Sequence, residues 1–546
     1  MKSRAGGHKQ AFLIGIILLI AGTVSLCFWG TKKEIWFCDE IYTYESSNGF
    51  EQEWPASRTD EWMSGADVED FFSADSDNLS LNDVTVRLYS DHVPLYFWMF
   101  RSVSFFFFKG SGSIWIGLSI NLFFYLLFLG TGYGVFLYLT KNPLLSGAVM
   151  FFVGICSRLA IEQATTLRMY MCLLCAEFFL LLGGLWILWE AENGKSWLLP
   201  YGYLAAASIA GFLTHYDYWV FYGVTATVFC SWFLLKAFKK RGKRFWKTRE
   251  FWCAAAWVGN FAVSLIVTVM LFPYCRWNLN RGKGKMALEA AFSFSKESLA
   301  QIGWGYERLS AVLFGGAFPA GIGLALIFGC IAGGGIVLYR RKERGKLAGT
   351  VLAALAAQLY QIAVCYTMPA GCEERYLWGS FTLTAMCMAW GGILLCKELR
   401  AGIPGRRLRA GGRRVLAVLL AAAVFVWECA VIDGGNGVAY LFHPQRDMAV
   451  LKEYREIPWV VYGAVKDVYS YYDWTIPEQI CFMTEDAQKD GEAVRGLMGK
   501  ERFVLYVYED NLSDGLDFFR QALDKDIDIL PLARSTNFHV YLVEAK

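Results

Sequence analysis

The sequence is poor in charge, and this excludes several classes of protein. Charged residues make up 18% of the 546 residues, whereas a soluble domain has about 25%. A chain of three or four soluble domains is therefore excluded. The 52 basic residues barely outnumber the 49 acidic ones, so the strong basic excess of a nucleic-acid-binding protein is missing. We expect no nucleic-acid partner.

Long apolar runs are what the sequence has instead. Hydrophobic residues make up 55% of the chain, and a membrane-spanning helix needs about 20 mostly apolar residues. Such runs lie at 11–30, 114–139, 143–160, 170–189, 197–213, 218–235, 252–272, 309–338, 347–368, 376–396 and 415–432. They predict a mainly α, polytopic membrane protein with about 11 transmembrane helices.

The basic residues predict the orientation of these helices. We place the N-terminus in the cytoplasm and let the short apolar run 93–108 lie along the outer surface or dip into it. The inner segments then carry 25 Lys and Arg, and the short outer loops carry 9. Because basic residues concentrate in cytoplasmic loops, this arrangement is favoured. It predicts a multi-pass protein of the cell membrane with a cytoplasmic N-terminus.

Two longer polar parts are expected outside the membrane. Residues 31–92 are acidic, and they belong to an outer loop with juxtamembrane helices at 31–113 in a transmembrane domain at 1–432. Residues 433–546 contain two alternating runs, RFVLYVYED and FHVYLVEA, that predict strands. Between these runs lies a predicted helix with Ser513 as its N-cap. We expect 433–546 to form a small extracytoplasmic α/β domain.

Metal-binding patterns are missing as well. The cysteines expected outside, Cys38, Cys275, Cys372 and Cys481, show no CxxC or Cys/His spacing. We therefore predict no metal site and no cofactor, and a disulfide among these four stays open. The acidic residues of 31–92, for example Asp75 and Asp77, leave a bound cation open too.

Groups of polar residues occur at the predicted outer helix ends. They are Asp39-Glu40, His92, Glu162 with Arg168 and Tyr170, His215-Tyr216, and Glu374-Arg375-Tyr376. Paired carboxylates suit general-base catalysis, a histidine suits acid–base work, and an arginine can hold a phosphate with two hydrogen bonds. Each group alone also fits a plainer interpretation, namely a solvated loop, an aromatic belt, a snorkelling arginine or a surface salt bridge.

A basic outer loop adds further candidates. Arg281, Lys283 and Lys285 lie in the sequence FPYCRWNLNRGKGKM within 273–308. A glycine-containing basic loop suits an anionic head group. The alternative is nonspecific attraction to anionic lipids.

The order of these groups resembles the GT-C membrane glycosyltransferases. The nearest branch contains the protein O-mannosyltransferases and the lipid A aminoarabinose transferase (glycosyltransferase family 39-like). The matching elements are Asp39-Glu40, HVPLYFW from His92, EQATTLRMY from Glu162, THYDYW around His215 and ERYLW from Glu374. Val93 replaces a proline of the family pattern, and the Glu162 element matches loosely. The resemblance covers roughly residues 11–396.

The resemblance implies an enzyme that transfers a sugar, with inversion, from a polyprenyl-phosphate carrier to an acceptor at the outer face of a prokaryotic cytoplasmic membrane. Asp39 would be the general base and Glu40 its support. Arg168, Arg375, Arg281, Lys283 and Lys285 would bind the donor phosphate, so a metal is not required. The further site candidates are His92, Glu162, Tyr170, His215, Tyr216, Glu374 and Tyr376. The acceptor hydroxyl could belong to a protein, a glycolipid or a wall polymer.

Two other functions compete with this interpretation. One is a lipid or solute transporter or flippase, and the other is a non-catalytic membrane scaffold. Transporters place charged residues at mid-membrane depth and often consist of repeated halves. The predicted spans are nearly free of such charge, and no repeat is visible, which favours the enzyme over the transporter.

Overall fold

A computed structural model provides the three-dimensional structure of the chain. It describes all residues except 1, 34–35, 50–52, 75–76, 91, 194–195, 197, 280, 294, 369–371, 403–425, 427–429, 431–447, 464–469, 524–525 and 536.

The described residues are mostly helical. The helices of the N-terminal third are α1 (Lys2–Thr31), α2 (Cys38–Ser47), α3 (Gly65–Asp70), α4 (Leu81–Arg87), α5 (Leu95–Phe107), α6 (Trp115–Thr140), α7 (Pro143–Met150), α8 (Arg158–Thr165) and α9 (Tyr170–Glu192). Those that follow are α10 (Leu198–Phe212), α11 (Asp217–Arg241), α12 (Arg249–Leu271), α13 (Cys275–Leu279), α14 (Gly282–Ala291), α15 (Lys296–Phe314), α16 (Ala320–Arg340), α17 (Arg344–Thr367) and α18 (Trp378–Gly402). The C-terminal part contains α19 (Met448–Glu453), α20 (Glu492–Leu497) and α21 (Leu512–Ala522).

The predicted spans can be traced onto these helices. Eight helices in the described part of the chain are long and apolar enough to cross a membrane, and a ninth span is formed if the pair Pro143–Cys156 and Arg158–Thr165, bent by 58°, counts as one. The predicted span 197–213 corresponds to the shorter apolar helix α10. The predicted span 415–432 lies outside the described residues except for positions 426 and 430. The mainly α, membrane-spanning fold class is confirmed.

One predicted span is wrong as drawn. The run 309–338 is not a single helix, because α15 ends at Phe314 and α16 begins at Ala320. Between them Gly315 adopts a left-handed φ of 65° as the C-cap of α15, and Pro319 precedes α16. A left-handed glycine ends a helix readily because it has no Cβ. Apolar composition alone did not reveal this break.

Helix α5 is too short to cross a bilayer. Its 13 residues extend about 20 Å, whereas the hydrocarbon core is about 30 Å thick. Arg101, in its middle, is fully buried and donates hydrogen bonds to the carbonyls of Asn78 and Leu79 at 3.1 Å. Two of its guanidinium nitrogens are thus bound by backbone carbonyls of the segment that precedes α4, which fits a helix that does not span.

The C-terminal residues form most of a six-stranded sheet. Its strands are β1 (Trp62–Met63), β2 (Trp459–Tyr462), β3 (Ile480–Met483), β4 (Arg502–Tyr508), β5 (Ile527–Arg534) and β6 (Phe538–Ala545). The spatial order is β1-β3-β2-β4-β6-β5, and β2 runs parallel to both β3 and β4. The predicted strands β4 and β6 are confirmed. Strands β2 and β3 are buried at every position, so they lack the alternation by which a half-exposed strand is recognised.

The predicted N-cap of the C-terminal helix is wrong. Helix α21 begins at Leu512, and Asn511 occupies the N-cap position without a side-chain hydrogen bond. The hydroxyl of Ser513 instead pairs with Asp514 at 3.1 Å.

The segment between α2 and α3 completes this sheet. Strand β1 pairs antiparallel with β3, so that Trp62 lies opposite Cys481. The carboxylate of Asp60 accepts hydrogen bonds from the backbone N–H groups of Glu492 and Ala493, both at 2.8 Å, which caps the start of α20. The described parts of 31–92 and 433–546 are therefore joined by backbone pairing.

The membrane orientation remains a prediction that labelling can test. Ser57 and Lys243 are both exposed and lie on opposite sides of the predicted topology. In intact cells an impermeant maleimide should react with Ser57→Cys but with Lys243→Cys only after lysis. The unsubstituted protein is the control, because Cys396 is itself exposed. Labelling of position 243 in intact cells would contradict the orientation.

Candidate active site

Glu40 fixes helix α2 to the rest of the molecule. Its Oε2 accepts the backbone N–H of Phe37 at 2.7 Å, and its Oε1 accepts that of Leu167 at 2.7 Å. Lys33 forms an ion pair with Oε1 at 2.9 Å, and both side chains are fully buried. Burial raises the pKa of Glu40, while Lys33 and the two N–H groups act in the opposite direction. With both oxygens engaged, Glu40 holds α2 in place.

Removing Lys33 should reveal this anchoring role. Lys33→Met leaves the Glu40 carboxyl buried without its cation, so we expect a loss of about 3–5 kcal/mol in unfolding free energy. The double variant Lys33→Met/Glu40→Gln should recover most of it, because no unpaired charge stays buried. Unfolding of the detergent-purified protein measures both. Equal stability of the single variant and the wild type would contradict the anchoring role.

Asp39, next to Glu40 in the sequence, forms an ion pair with Arg375. Asp39 Oδ2 lies 3.0 Å from Arg375 Nη2, with the two side chains 21% and 6% exposed. Arg375 is also held by Glu373, whose Oε2 lies 2.8 Å from Nη1. The guanidinium lies over the rings of Phe37 and Tyr376, 5.1 and 5.3 Å from their centroids. A partly accessible carboxylate and a rigidly held cation thus face each other.

Arg168 connects Asp39 to His92. Its Nη1 donates to the Asp39 carbonyl at 2.9 Å and to Thr43 Oγ1 at 3.0 Å, and its Nη2 lies 3.0 Å from His92 Nε2. Because a guanidinium can only donate, His92 Nε2 must accept, and the hydrogen of the neutral ring lies on Nδ1. Arg168 therefore fixes both the backbone at Asp39 and the tautomer of His92.

His215 lies at the centre of the aromatic part of the site. Its ring centroid lies 6.5 Å from that of His92, 5.9 Å from Tyr170 and 6.3 Å from Tyr376. The backbone N–H of Asp217 donates to His215 Nδ1 at 3.1 Å, so the neutral ring carries its hydrogen on Nε2. Asp217 Oδ2, 3.2 Å from the same Nδ1, can pair with the ring when it is protonated.

The structure thus brings together residues from distant segments of the chain. They are Asp39, His92, Arg168, Tyr170, His215, Arg375 and Tyr376. Together they represent all five polar groups of the sequence. The cluster combines a carboxylate, two guanidinium groups and two imidazoles, which can move a proton and bind an anion.

Other predicted residues have different surroundings. Glu374 pairs with Arg308, so the carboxylate that holds Arg375 is Glu373. Glu162 is buried in α8, and the ring of Tyr216 packs against Trp219 at 5.8 Å.

Two basic side chains of this loop contact neighbouring residues of the same loop. Arg281 lies 5.0 Å from the ring centroid of Trp277, and Lys285 pairs with Glu289 at 3.7 Å. Lys283 is in α14, and its side chain lies outside the described residues.

Sequence reasoning missed a buried carboxyl in the membrane. Glu177, in α9, is fully buried and lies against Gly379 at the start of α18. It departs from the expectation that the spans are nearly free of charge. A single acidic residue in an apolar run is itself a recognisable signal, and here it lies two helical turns from Tyr170.

The described residues include no group of three or more His, Cys, Asp or Glu side chains that could hold a metal ion. Asp75 lies outside the described residues. Asp77 is exposed and pairs with Lys109 at 2.8 Å, and the hydrogen bond from Lys109 lowers the pKa of Asp77. Cys38, Cys275, Cys372 and Cys481 are buried, and none of these four described residues is in a disulfide.

Comparisons with known proteins identify similar folds. No protein-family model matches the sequence, and no curated protein matches it. The chain is similar to ArnT from Cupriavidus metallidurans bound to undecaprenyl phosphate, with 12% identity and a TM-score of 0.46 over 96% of this chain and 97% of that one. The apo state of ArnT gives a TM-score of 0.42. The archaeal oligosaccharyltransferase AglB from Archaeoglobus fulgidus, in complex with an inhibitory peptide and a dolichol-phosphate, gives 11% identity and a TM-score of 0.46 over 93% of this chain and 71% of that one. At these identities the similarity concerns the fold alone.

Proposed function

We propose that the protein transfers a sugar from a polyprenyl-phosphate donor to an acceptor hydroxyl at the outer face of the cytoplasmic membrane, with inversion at the anomeric carbon. The observation that carries this proposal is the ion pair between Asp39 and Arg375 at 3.0 Å. This ion pair joins the Asp39-Glu40 group to the Glu374-Arg375-Tyr376 group. These are the first and last groups of the series that resembles the GT-C enzymes.

Asp39 is the general base in this proposal. Its side chain is 21% exposed, whereas Glu40 is fully buried and uses both oxygens for anchoring. The acceptor oxygen attacks the anomeric carbon, its proton passes to Asp39, and the bond from that carbon to the phosphate oxygen breaks. The polyprenyl phosphate leaves with the bonding electron pair. A single displacement of this kind inverts the anomeric carbon.

Arg375 stabilises the departing phosphate. Glu373 and the rings of Phe37 and Tyr376 hold the guanidinium in place, so it can exchange its Asp39 contact for a phosphate oxygen without moving far. The same exchange releases Asp39 to accept the proton. A preorganised cation at the point where charge develops stabilises the transition state more than a mobile cation does.

The remaining residues position these two groups or attract the donor. Arg168 orients the Asp39 backbone and His92, and His92 and His215 supply hydrogen-bond donors near the phosphate. Arg281, Lys283 and Lys285 attract the anionic donor to the outer surface. The apolar helices below the site hold its polyprenyl chain. The acceptor is a hydroxyl of a protein, a glycolipid or a wall polymer.

Mass spectrometry of the cell envelope tests the proposal. Glycans and glycoproteins are compared between wild-type cells, cells without the gene, and deleted cells that express the wild type, Asp39→Asn or Asp77→Asn. We expect one sugar modification to disappear on deletion and to return with the wild type and Asp77→Asn only. Identical glycans with and without the gene would refute a glycosyltransferase function.

A further inference from the structure

An apolar cavity lies at the end of the helices opposite the active site. It has a volume of about 410 Å³ and is lined by α6, α9, α17 and α18. Tyr170 of the site begins α9, whereas the cavity extends along the same helix from Phe178 to Trp189. Trp189 lies about 28 Å from Tyr170 at about 1.5 Å of rise per residue, close to the thickness of a bilayer core. The cavity therefore opens near the opposite membrane surface.

The walls of the cavity exclude water. Apart from Thr131, Thr350 and Lys346, the side chains that line it carry aliphatic, aromatic or sulfur groups, with Tyr138 the one phenol. Water enters a cavity only when several polar partners are present. An apolar space open to the bilayer is instead filled by a hydrocarbon chain.

The mouth of the cavity is aromatic and basic. The ring centroids of Tyr138 and Trp189 lie 4.8 Å apart, and Lys141 Nζ lies 4.2 Å from the Tyr138 centroid. Lys346, which lines the cavity, pairs with Glu343 at 2.6 Å. The segment 339–346 nevertheless contains five basic residues and one acidic residue. Tyrosine and tryptophan mark a membrane interface, and clustered lysine and arginine attract anionic head groups.

We propose that this cavity binds an acyl chain of an anionic phospholipid from the leaflet opposite the active site, with the lipid phosphate at Lys141 and Lys346. The site is separate from the donor site, and it does not depend on the proposed enzymatic activity. Its acyl chain fills the space between α6, α9, α17 and α18.

Gly134 provides a sharp test of the cavity. It lines the cavity, and a Cβ at this position would meet no atom within 4 Å. Gly134→Leu therefore adds a side chain in the space that the lipid chain would occupy, and its Cβ clashes with no protein atom. Gly223→Leu is the matched control, because it lies in a span, is equally open and does not line the cavity.

Native mass spectrometry of the delipidated full-length protein, titrated with phosphatidylglycerol, phosphatidylcholine or polyprenyl phosphate, measures binding. We expect one phosphatidylglycerol to bind the wild type and Gly223→Leu. Gly134→Leu should bind about tenfold or more weakly, since each displaced methylene costs about a factor of four. The wild type should prefer phosphatidylglycerol to phosphatidylcholine. Lys346→Gln should reduce this preference about fivefold, as expected for the loss of one surface cation, whereas Lys243→Gln should leave it unchanged.

Three results would overturn the proposal. In the first, Gly134→Leu and Gly223→Leu bind phosphatidylglycerol equally well. In the second, the wild type shows no preference for phosphatidylglycerol. In the third, Gly134→Leu weakens the binding of polyprenyl phosphate instead.

Discussion

Asp39→Asn should lower turnover by about 10²–10⁴ while the protein folds normally. The substitution keeps the shape of the side chain and removes the base. Folding should be insensitive because Glu40, not Asp39, holds α2 to Leu167 and Lys33. Consumption of a purified polyprenyl-phosphate sugar, with cell membranes as the source of acceptor, measures the rate. The unfolding midpoint of the purified variant measures the fold.

Asp77→Asn is the control for Asp39→Asn. Asp77 is also a carboxylate paired with a basic residue, Lys109, but it is almost fully exposed. Its substitution should leave turnover and stability unchanged. If Asp39→Asn retained wild-type turnover at normal expression, Asp39 would not be the base. If it lost activity only together with the fold, its role would be structural.

Arg375→Ala should lower turnover by about 10²–10³, the usual effect of removing one donor to a developing negative charge. Arg375→Lys should recover only part of this loss. Lysine can carry the charge, but it cannot hold Glu373 and a second oxygen partner in the fixed geometry of a guanidinium. Because the phosphate gains charge as the bond breaks, kcat should fall more than donor affinity. Steady-state kinetics with the purified donor separates the two effects.

Arg308→Ala is the matched control for Arg375. Arg308 pairs with Glu374, the residue next to Arg375, but its side chain is 43% exposed. Loss of such a partly exposed ion pair should change turnover little. If both arginine variants had the same modest effect, the phosphate-binding role of Arg375 would be wrong, and its contacts would be ordinary loop ion pairs.

Local properties of the sequence were enough to predict the fold class. An apolar run of about 20 residues is long enough to cross the bilayer core, and it is helical there because the core offers no partner for exposed backbone groups. This holds whatever lies next to the run. The strand Phe538–Ala545 was predicted for a similar local reason, since its alternation reflects one buried and one more exposed face. The alternating run at Arg502–Tyr508 also predicted a strand, although the structure buries both of its faces. The ordered polar groups from Asp39 to Tyr376 likewise named most of the residues that the structure brings together.

The partners of these residues could be decided only by the tertiary structure. Nothing local distinguishes Asp39 from Glu40, yet one reaches Arg375 and the other is buried against Lys33 and Leu167. Nor does the sequence show that Glu373, and not Glu374, holds Arg375, or that two residues of the first outer loop join the C-terminal sheet. Composition and periodicity describe the environment of a segment. Ion pairs and strand pairs depend on which segments meet and on the rotation of each helix about its axis, and only packing of the whole chain sets these.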